Sequence, residues 1–279
     1  MDVTAYVPCY NNAQTLAQTL DSVRRLNPAV AEILAVDDGS RDNSVQVAAA
    51  QGVQVLVHSQ NLGRGAARAK AMEQARYELV LCCDATNVLS ADFLEKALPW
   101  FENPQVAAVF GYLVQPPART VVERWRGRHL FRLEQPRGPV DRHALLATYG
   151  AVVRKSAVLA VGNYDPTLRH SEDRELGERL LQAGYEVIHD PKLEVSSIAH
   201  NTLAQVLERY WRWYCGKDET VSWSGYLKQV AYATKVMALQ DLRAGDPQSI
   251  PISLFSPHYQ FWRSWWRSFL RPTPMKPPC

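Results

Sequence analysis

A chain of 279 residues, 47% hydrophobic and 21% charged, is long enough to bury a large core and has ordinary globular composition. Its net charge of +3 is too small to argue for nucleic acid as a partner. The longest apolar runs fall short of the roughly 18 residues that a membrane span needs.

In chain order, the first hundred residues alternate strand and helix. Val3, Ala5 and Val7 lead to Pro8 and predict a strand; Leu16, Leu20 and Val23 then mark a helix that stops at Asn27–Pro28. EILAV predicts a second strand ending at Asp37–Asp38, and Val45, Ala48 and Ala49 a short helix. VQVLVH, the small-residue helix GRGAARAKAMEQAR and the strand ELVLCC follow, and Ser90 opens another helix. Strands separated by helices of this size imply a mostly parallel sheet in an α/β fold. The polar clusters CYNN, DDGSRD, SQNLGRG and DATN all fall at the carboxyl ends of these strands, where such sheets bind ligands.

Farther on, VAAVFGYLV predicts a strand and TVVERWRGRHLFRLEQ a basic, aromatic helix. YGAVVRKSAVLAVGNYD predicts a strand, a short helix and a turn; SEDRELGERLLQAGYEVIHDP predicts a capped helix and a strand ending at Pro191. Two more helices lie in NTLAQVLERYWRWYCG and SGYLKQVAYATKVMALQDLRAG. The start MDVTAYVPCYNN has no signal-peptide pattern, and five cysteines without disulfide or zinc spacing fit a reduced, cytoplasmic protein.

Six segments in order carry a resemblance: VPCYNNAQTLAQTLDSV, AVDDGSRDNS, NLGRGAARAKAMEQA, CCDATNVLSADF, SEDRELGERLLQAGY and RYWRW. Together, over about residues 3–215, they resemble glycosyltransferase family 2. The resemblance implies a GT-A fold, with a mostly parallel, mixed sheet flanked by helices. It also implies inverting transfer from a nucleotide-sugar donor, with a UDP-sugar expected. On this reading, residues 1–105 form the nucleotide-sugar half and 106–215 the acceptor and catalytic half. Residues 216–279 form a helical extension.

Several residues are candidates for the donor. After Pro8, the Tyr10 ring can stack on a base and Asn11 can hydrogen-bond its polar edges, although Pro and Asn also simply favour turns. Asp37 and Asp38, adjacent on a strand, should point oppositely, one to the site and one to its loop. The resemblance implies that Asp38 reads the base and favours uracil. Asn61, Gly63, Arg64 and Arg68 open a helix; glycines allow close backbone approach, and a helix N-terminus with arginines suits a diphosphate. Arg64 is the preferred contact and Arg68 the second.

Asp84 heads the family's Asp-x-Asp motif, yet the second acid is replaced: the chain reads Asp84–Ala85–Thr86. A threonine hydroxyl is a poor ligand for Mg²⁺ or Mn²⁺. Three outcomes stay open here. A weakened metal site can use Asp84, Thr86 and His200; Arg209 and Arg212 can stabilise the leaving diphosphate instead; or the chain binds donor without turnover. By resemblance, Glu172 and Asp173 form the family's Glu-Asp pair, with Asp173 as general base. The N-terminus of its helix favours the ionised form. Arg212 is grouped with them for leaving-group neutralisation, and Trp213 of RYWRW is implied to bind the acceptor sugar.

HYQFWRSWWRSFLR, within an amphipathic stretch 258–271, places Gln260, Arg263, Ser264, Arg267, Ser268 and Arg271 within about 140° of helical arc. Aromatics fill the opposite side. Such a helix lies in a membrane interface or packs its aromatic face on the protein. The expected partners are therefore a nucleotide-sugar, a glycan or lipid-linked acceptor and a membrane surface on the cytoplasmic side, with no nucleic acid. Two rivals remain. One is a non-catalytic nucleotide-sugar-binding scaffold. The other, a nucleotidyltransferase, would want a glycine-rich basic loop where PCYNN stands.

Overall fold

The structure, a computed structural model, describes residues 1–134, 136–214 and 221–270, with side chains up to 266. Two compact units emerge. The first comprises residues 1–116 and 136–199; the second comprises 117–134 with the described residues from 200 onward. This division differs from the expected one: 117–134 and 200–214 cluster with the C-terminal helices.

The first unit is an α/β fold around one eight-stranded sheet of order β3-β2-β1-β4-β7-β6-β8-β5. Its strands are β1 (Val3–Cys9), β2 (Glu32–Asp37), β3 (Gln54–Val57), β4 (Leu79–Cys83), β5 (Asn87–Leu89), β6 (Val106–Val114), β7 (Gly150–Arg154) and β8 (Glu186–Ser197). The helices of this unit are α1 (Ala13–Arg24), α2 (Ser44–Ala50), α3 (Arg64–Gln74), α4 (Phe93–Ala97), with α6 (Lys155–Ala160) and α7 (Glu172–Gln182) farther on. The β3-β2-β1-β4 block and the β6–β8 pair are parallel; β7 runs antiparallel to β4 and β6, as does β5 to β8.

The period-2 pattern explains the two cores. Val3, Ala5, Val7, Leu79 and Leu81 face one layer, and Tyr6, Val80 and Cys82 the other. Two local features differ from expectation. A short strand, β5, precedes the helix after Ser90. β8 also continues past Pro191, because a register shift between Phe110–Tyr112 and His189–Glu194 absorbs the proline, which has no N–H for the ladder.

The second unit is helical: α5 (Val121–Trp125), α8 (Leu203–Tyr214), α9 (Trp223–Tyr232), α10 (Ala238–Arg243) and α11 (Ile250–Leu270). Thr120 and Glu123 form a reciprocal cap at the start of α5. Trp125, Leu130, Val206, Leu207, Tyr210 and Met237 build its core.

Of the two facings expected for α11, packing of its tryptophans on the protein is not the one found. Its polar stripe is the buried face: Ser253, Ser256, Gln260 and Ser264 are all at most 3% exposed, whereas Trp262, Trp265 and Trp266 lie on the surface. Hydrogen bonds account for this facing. Trp125 Nε1 donates to Ser253 Oγ at 2.8 Å, and Trp211 Nε1 to Ser264 Oγ at 2.8 Å. Arg263 is held by Glu208 at 2.8 Å. The Arg267 and Ser268 side chains and Arg271 lie outside the described residues.

Candidate functional site

At the carboxyl end of β4, Asp84 meets a buried arginine. Arg68, on α3, is 1% exposed. Its Nη2 donates to Asp84 Oδ1 at 2.8 Å and its Nε to Glu172 Oε1 at 2.8 Å. Nη1 reaches Tyr6 Oη at 3.4 Å and contacts Cys82 Sγ. Burial alone would lower the Arg68 pKa; Cys82, Tyr6, Asp84 and Glu172 outweigh it and hold the guanidinium well above its usual range. Burial pushes the Cys82 thiol up to about 12, which removes it as a nucleophile. Arg68 is therefore not the diphosphate contact expected of it, because its donors are committed to the protein's own acids.

Asp173 follows Glu172 at the start of α7. Its Oδ2 accepts from the Thr148 backbone N–H at 3.3 Å and lies 3.4 Å from the Thr148 hydroxyl; its Oδ1 accepts from the Arg174 N–H at 2.8 Å. Burial first, and the Glu172 charge second, push its carboxyl above the ordinary range, against the pull of Arg68 and of these hydrogen bonds. One buried cation thus serves Asp84 and Glu172 directly and Asp173 through its field. Burial works against the ionised form that the helix N-terminus was expected to favour. Glu172 is 1% exposed, and its Oε2 has no hydrogen-bond partner among the described residues.

The donor candidates of the first unit divide. Tyr10 is 42% exposed just beyond β1, and Arg64 is exposed at the first turn of α3. Pro8 pairs with Val36 inside the sheet. Asn11, at φ 54°, accepts from the Arg41 N–H at 2.8 Å and so ties its loop to the one after β2.

Asp38 requires a correction. Its carboxylate receives His58 Nδ1 at 2.9 Å, the Leu62 N–H at 2.9 Å, Asn61 Nδ2 at 2.9 Å and the Gly63 N–H at 2.8 Å. Four contacts fill the acceptor sites of a carboxylate, so Asp38 holds its neighbouring loop and has none left for a base. Asp37 is equally inward, accepting from the Ser40 N–H at 2.9 Å.

Asn61 is likewise occupied, between Asp38 and Arg169. The glycines after it serve internal packing. At Gly63, φ is 106° and a Cβ would lie 2.9 Å from Arg169 Cα; at Gly65 it would lie 2.0 Å from the Asp165 carbonyl oxygen. The Gly65 N–H donates to the Leu168 carbonyl at 3.0 Å. The close approach at this helix start is to residues 165–169, and the Gly63 and Gly65 amides are not available to a phosphate.

The remaining candidates lie in the second unit. His200 is exposed, with Nδ1 3.1 Å from Glu123 Oε1. Arg209 and Arg212, on α8, are half-buried and engaged. Trp213 is 49% exposed, with its ring 5.9 Å from that of Phe131.

Neither the geometry nor the chemistry assembles the expected metal set. Asp84 supplies one carboxylate, already paired with Arg68, and half-buried Thr86 supplies a neutral hydroxyl. Among the described residues no group of three or more His, Cys, Asp or Glu side chains is placed to hold a metal. Hard divalent cations want several charged or carbonyl oxygens, and these residues do not fit a resident ion.

Sequence reasoning missed Thr148, Tyr6 and Cys82. Cys82 carried a signal, two residues before Asp84 on one strand face; Thr148 carried none.

Comparisons with known proteins bear on this arrangement. The sequence profile described as "Glycosyl transferase family 2" matches residues 4–160, more than half of the chain. A pre-mycofactocin glycosyltransferase of Mycobacterium tuberculosis is 30% identical over 213 residues, covering 74% of this chain and 44% of the relative. A poly-beta-1,6-N-acetyl-D-glucosamine synthase of Staphylococcus aureus is 27% identical over 233 residues, covering 78% and 55%. The chain thus spans about half the length of these relatives. Among solved structures, the mannosyltransferase PcManGT from Pyrobaculum calidifontis, in complex with GDP-Man and Mn²⁺, aligns with a TM-score of 0.60 at 17% identity, covering 91% of this chain and 73% of that one. The likeness is one of fold and bears out the GT-A expectation. With this fold, and with that profile spanning the strands that carry Tyr10 and Asp84, the chain belongs to glycosyltransferase family 2.

Proposed function

We propose that the chain acts as an inverting glycosyltransferase, moving a sugar from a nucleoside-diphosphate sugar to a glycan or lipid-linked acceptor. One observation carries this reading: Arg68 joins Asp84, the acid of the donor motif, to Glu172, so that the adjacent Asp173 is set beside the donor end of β4. In the step, Asp173 takes the acceptor hydroxyl's proton as that oxygen bonds to the anomeric carbon. The bond from that carbon to the diphosphate breaks on the opposite face, releasing the nucleoside diphosphate. Tyr10 stacks on the base, and Asn11 supports the same loop. Arg64 neutralises the diphosphate; the roles expected of Arg209, Arg212 and Trp213 belong to the second unit and have no place in this step. A divalent ion travelling with the diphosphate counts as part of that substrate, and no step is assigned to it.

With Asp38 saturated, the choice of base loses its support in the site, and UDP-, GDP- and dTDP-sugars form the test panel. The expected result is nucleoside diphosphate release from at least one donor, measured by a coupled assay. Binding of a nucleotide without release from any donor would favour the scaffold reading motivated by Thr86.

The outward tryptophans of α11 support a peripheral membrane site. No helix among the described residues is long and apolar enough to cross a membrane. Tryptophan, with an apolar ring and a polar N–H, favours the membrane–water interface. The combined changes Trp262→Ser, Trp265→Ser and Trp266→Ser are expected to weaken co-sedimentation with anionic vesicles at least about tenfold, with unchanged circular dichroism. Undiminished sedimentation would contradict the anchor. Deleting the segment is the poorer test, because Gln260 and Ser264 pack inside the helical unit.

A further inference from the structure

The helical unit contains a cavity of about 600 Å³ that the transfer reading does not use, and all its lining residues belong to that unit. Its walls combine three chemistries. Tyr210, Tyr214 and Tyr232 line it, and the Tyr210 and Tyr214 ring centroids are 4.7 Å apart. Two amides each contribute one buried atom that has no hydrogen-bond partner among the described residues: Nε2 of Gln260, itself 2% exposed, and Oε1 of half-buried Gln229. Cations complete it, and they are of two kinds. Arg128 is already paired, with Asp241 at 2.7 Å and Glu134 at 2.9 Å, and His129 Nε2 lies 2.7 Å from the same Asp241 oxygen. Arg132 and Lys228 are exposed and make no ion pair among the described residues.

We propose that this cavity binds a carbohydrate carrying an anionic substituent, a phosphate or a carboxylate. Aromatic faces suit the C–H faces of a sugar ring. An unpaired amide donor and an unpaired amide acceptor suit hydroxyls, which both donate and accept. Two unpaired cations suit one anionic group. The volume lies within the range of small-molecule sites and holds one or two sugar rings. A lipid tail would leave the buried amide atoms unpaired, and an inorganic anion would leave the tyrosines without a partner. The site goes beyond the transfer reading and does not depend on it.

The test is calorimetric titration of the whole chain with glucose 6-phosphate and with glucuronic acid, and separately with glucose and inorganic phosphate. Saturable binding of glucose 6-phosphate, glucuronic acid or both, at least about tenfold tighter than of glucose and of phosphate, is expected. The two anionic sugars distinguish phosphate from carboxylate as the recognised group. Arg132→Gln with Lys228→Ala, both at exposed positions, should weaken that binding at least about tenfold, and Tyr232→Ala should weaken it too. Absence of saturable binding by both anionic sugars would overturn the proposal. So would binding indifferent to the double variant, or phosphate binding as tightly as glucose 6-phosphate. Thermal stabilisation by UDP, GDP and dTDP, read in parallel on the same variants, reports the donor site separately, so failure of either reading is distinguishable.

Discussion

Asp173→Asn is expected to lower sugar transfer about 10²–10⁴-fold, the range for losing a general base, while nucleotide-induced thermal stabilisation stays within a few-fold of wild type. The geometry behind this is local: the carboxylate is fixed by Thr148 and the Arg174 N–H and does not hold the donor-motif acid. Its raised pKa adds two consequences. The acid limb of the wild-type rate should lie above the value of about 3.9 of an unperturbed aspartate, because the base works only when ionised. In the folded chain the group binds its proton more tightly than in the unfolded chain. Its contribution to stability is therefore present below the unfolded pKa and lost as pH rises through the folded one. At neutral pH the asparagine variant should consequently melt no lower than wild type. Retained turnover, or a lower melting temperature with lost nucleotide binding, would refute the base role.

Arg68→Met is expected to cost about 3–5 kcal/mol, since it leaves Glu172 buried without its cation. For a chain of this size that lowers the melting temperature by roughly 10 °C. Combining it with Glu172→Gln should recover most of the loss by removing the stranded charge, and a double-mutant cycle reads the coupling. A shift of less than about 2 °C in the single variant would show that the Asp84–Arg68–Glu172 link contributes little. The same variant separates two roles for Arg68: a diphosphate ligand would lose donor affinity without destabilising the fold.

Much of this site was legible before any coordinates. The alternation of Val3, Ala5 and Val7 located β1 and short apolar runs located β2, β4 and β7, and the polar clusters after β1 and β4 drew attention to Tyr10 and Asp84. Hydrophobic patterning alone could not say what each polar group touches. Asp38 and Gly63 carry the residue types of a ligand loop, but their partners are one another and a segment about a hundred residues away, Asp165–Arg169. Arg68 did carry a readable sign: Gly65, Arg68 and Met72 are spaced as one buried helix face. On α11 the periodicity was right and left the facing open; serines and a glutamine replace the usual apolar stripe, and two buried tryptophans supply partners for Ser253 and Ser264. Pro191 marked an expected strand end that the bulge in β8 carried through.

If Asp173 activates the acceptor from the face opposite the departing diphosphate, the new glycosidic bond must have the reverse anomeric configuration of the donor. Nuclear magnetic resonance of the first-formed product, from whichever panel donor turns over, reads that configuration directly. The account predicts inversion, with nucleoside diphosphate released in equal amount; a product of retained configuration, or no release from any donor by folded protein, would contradict it.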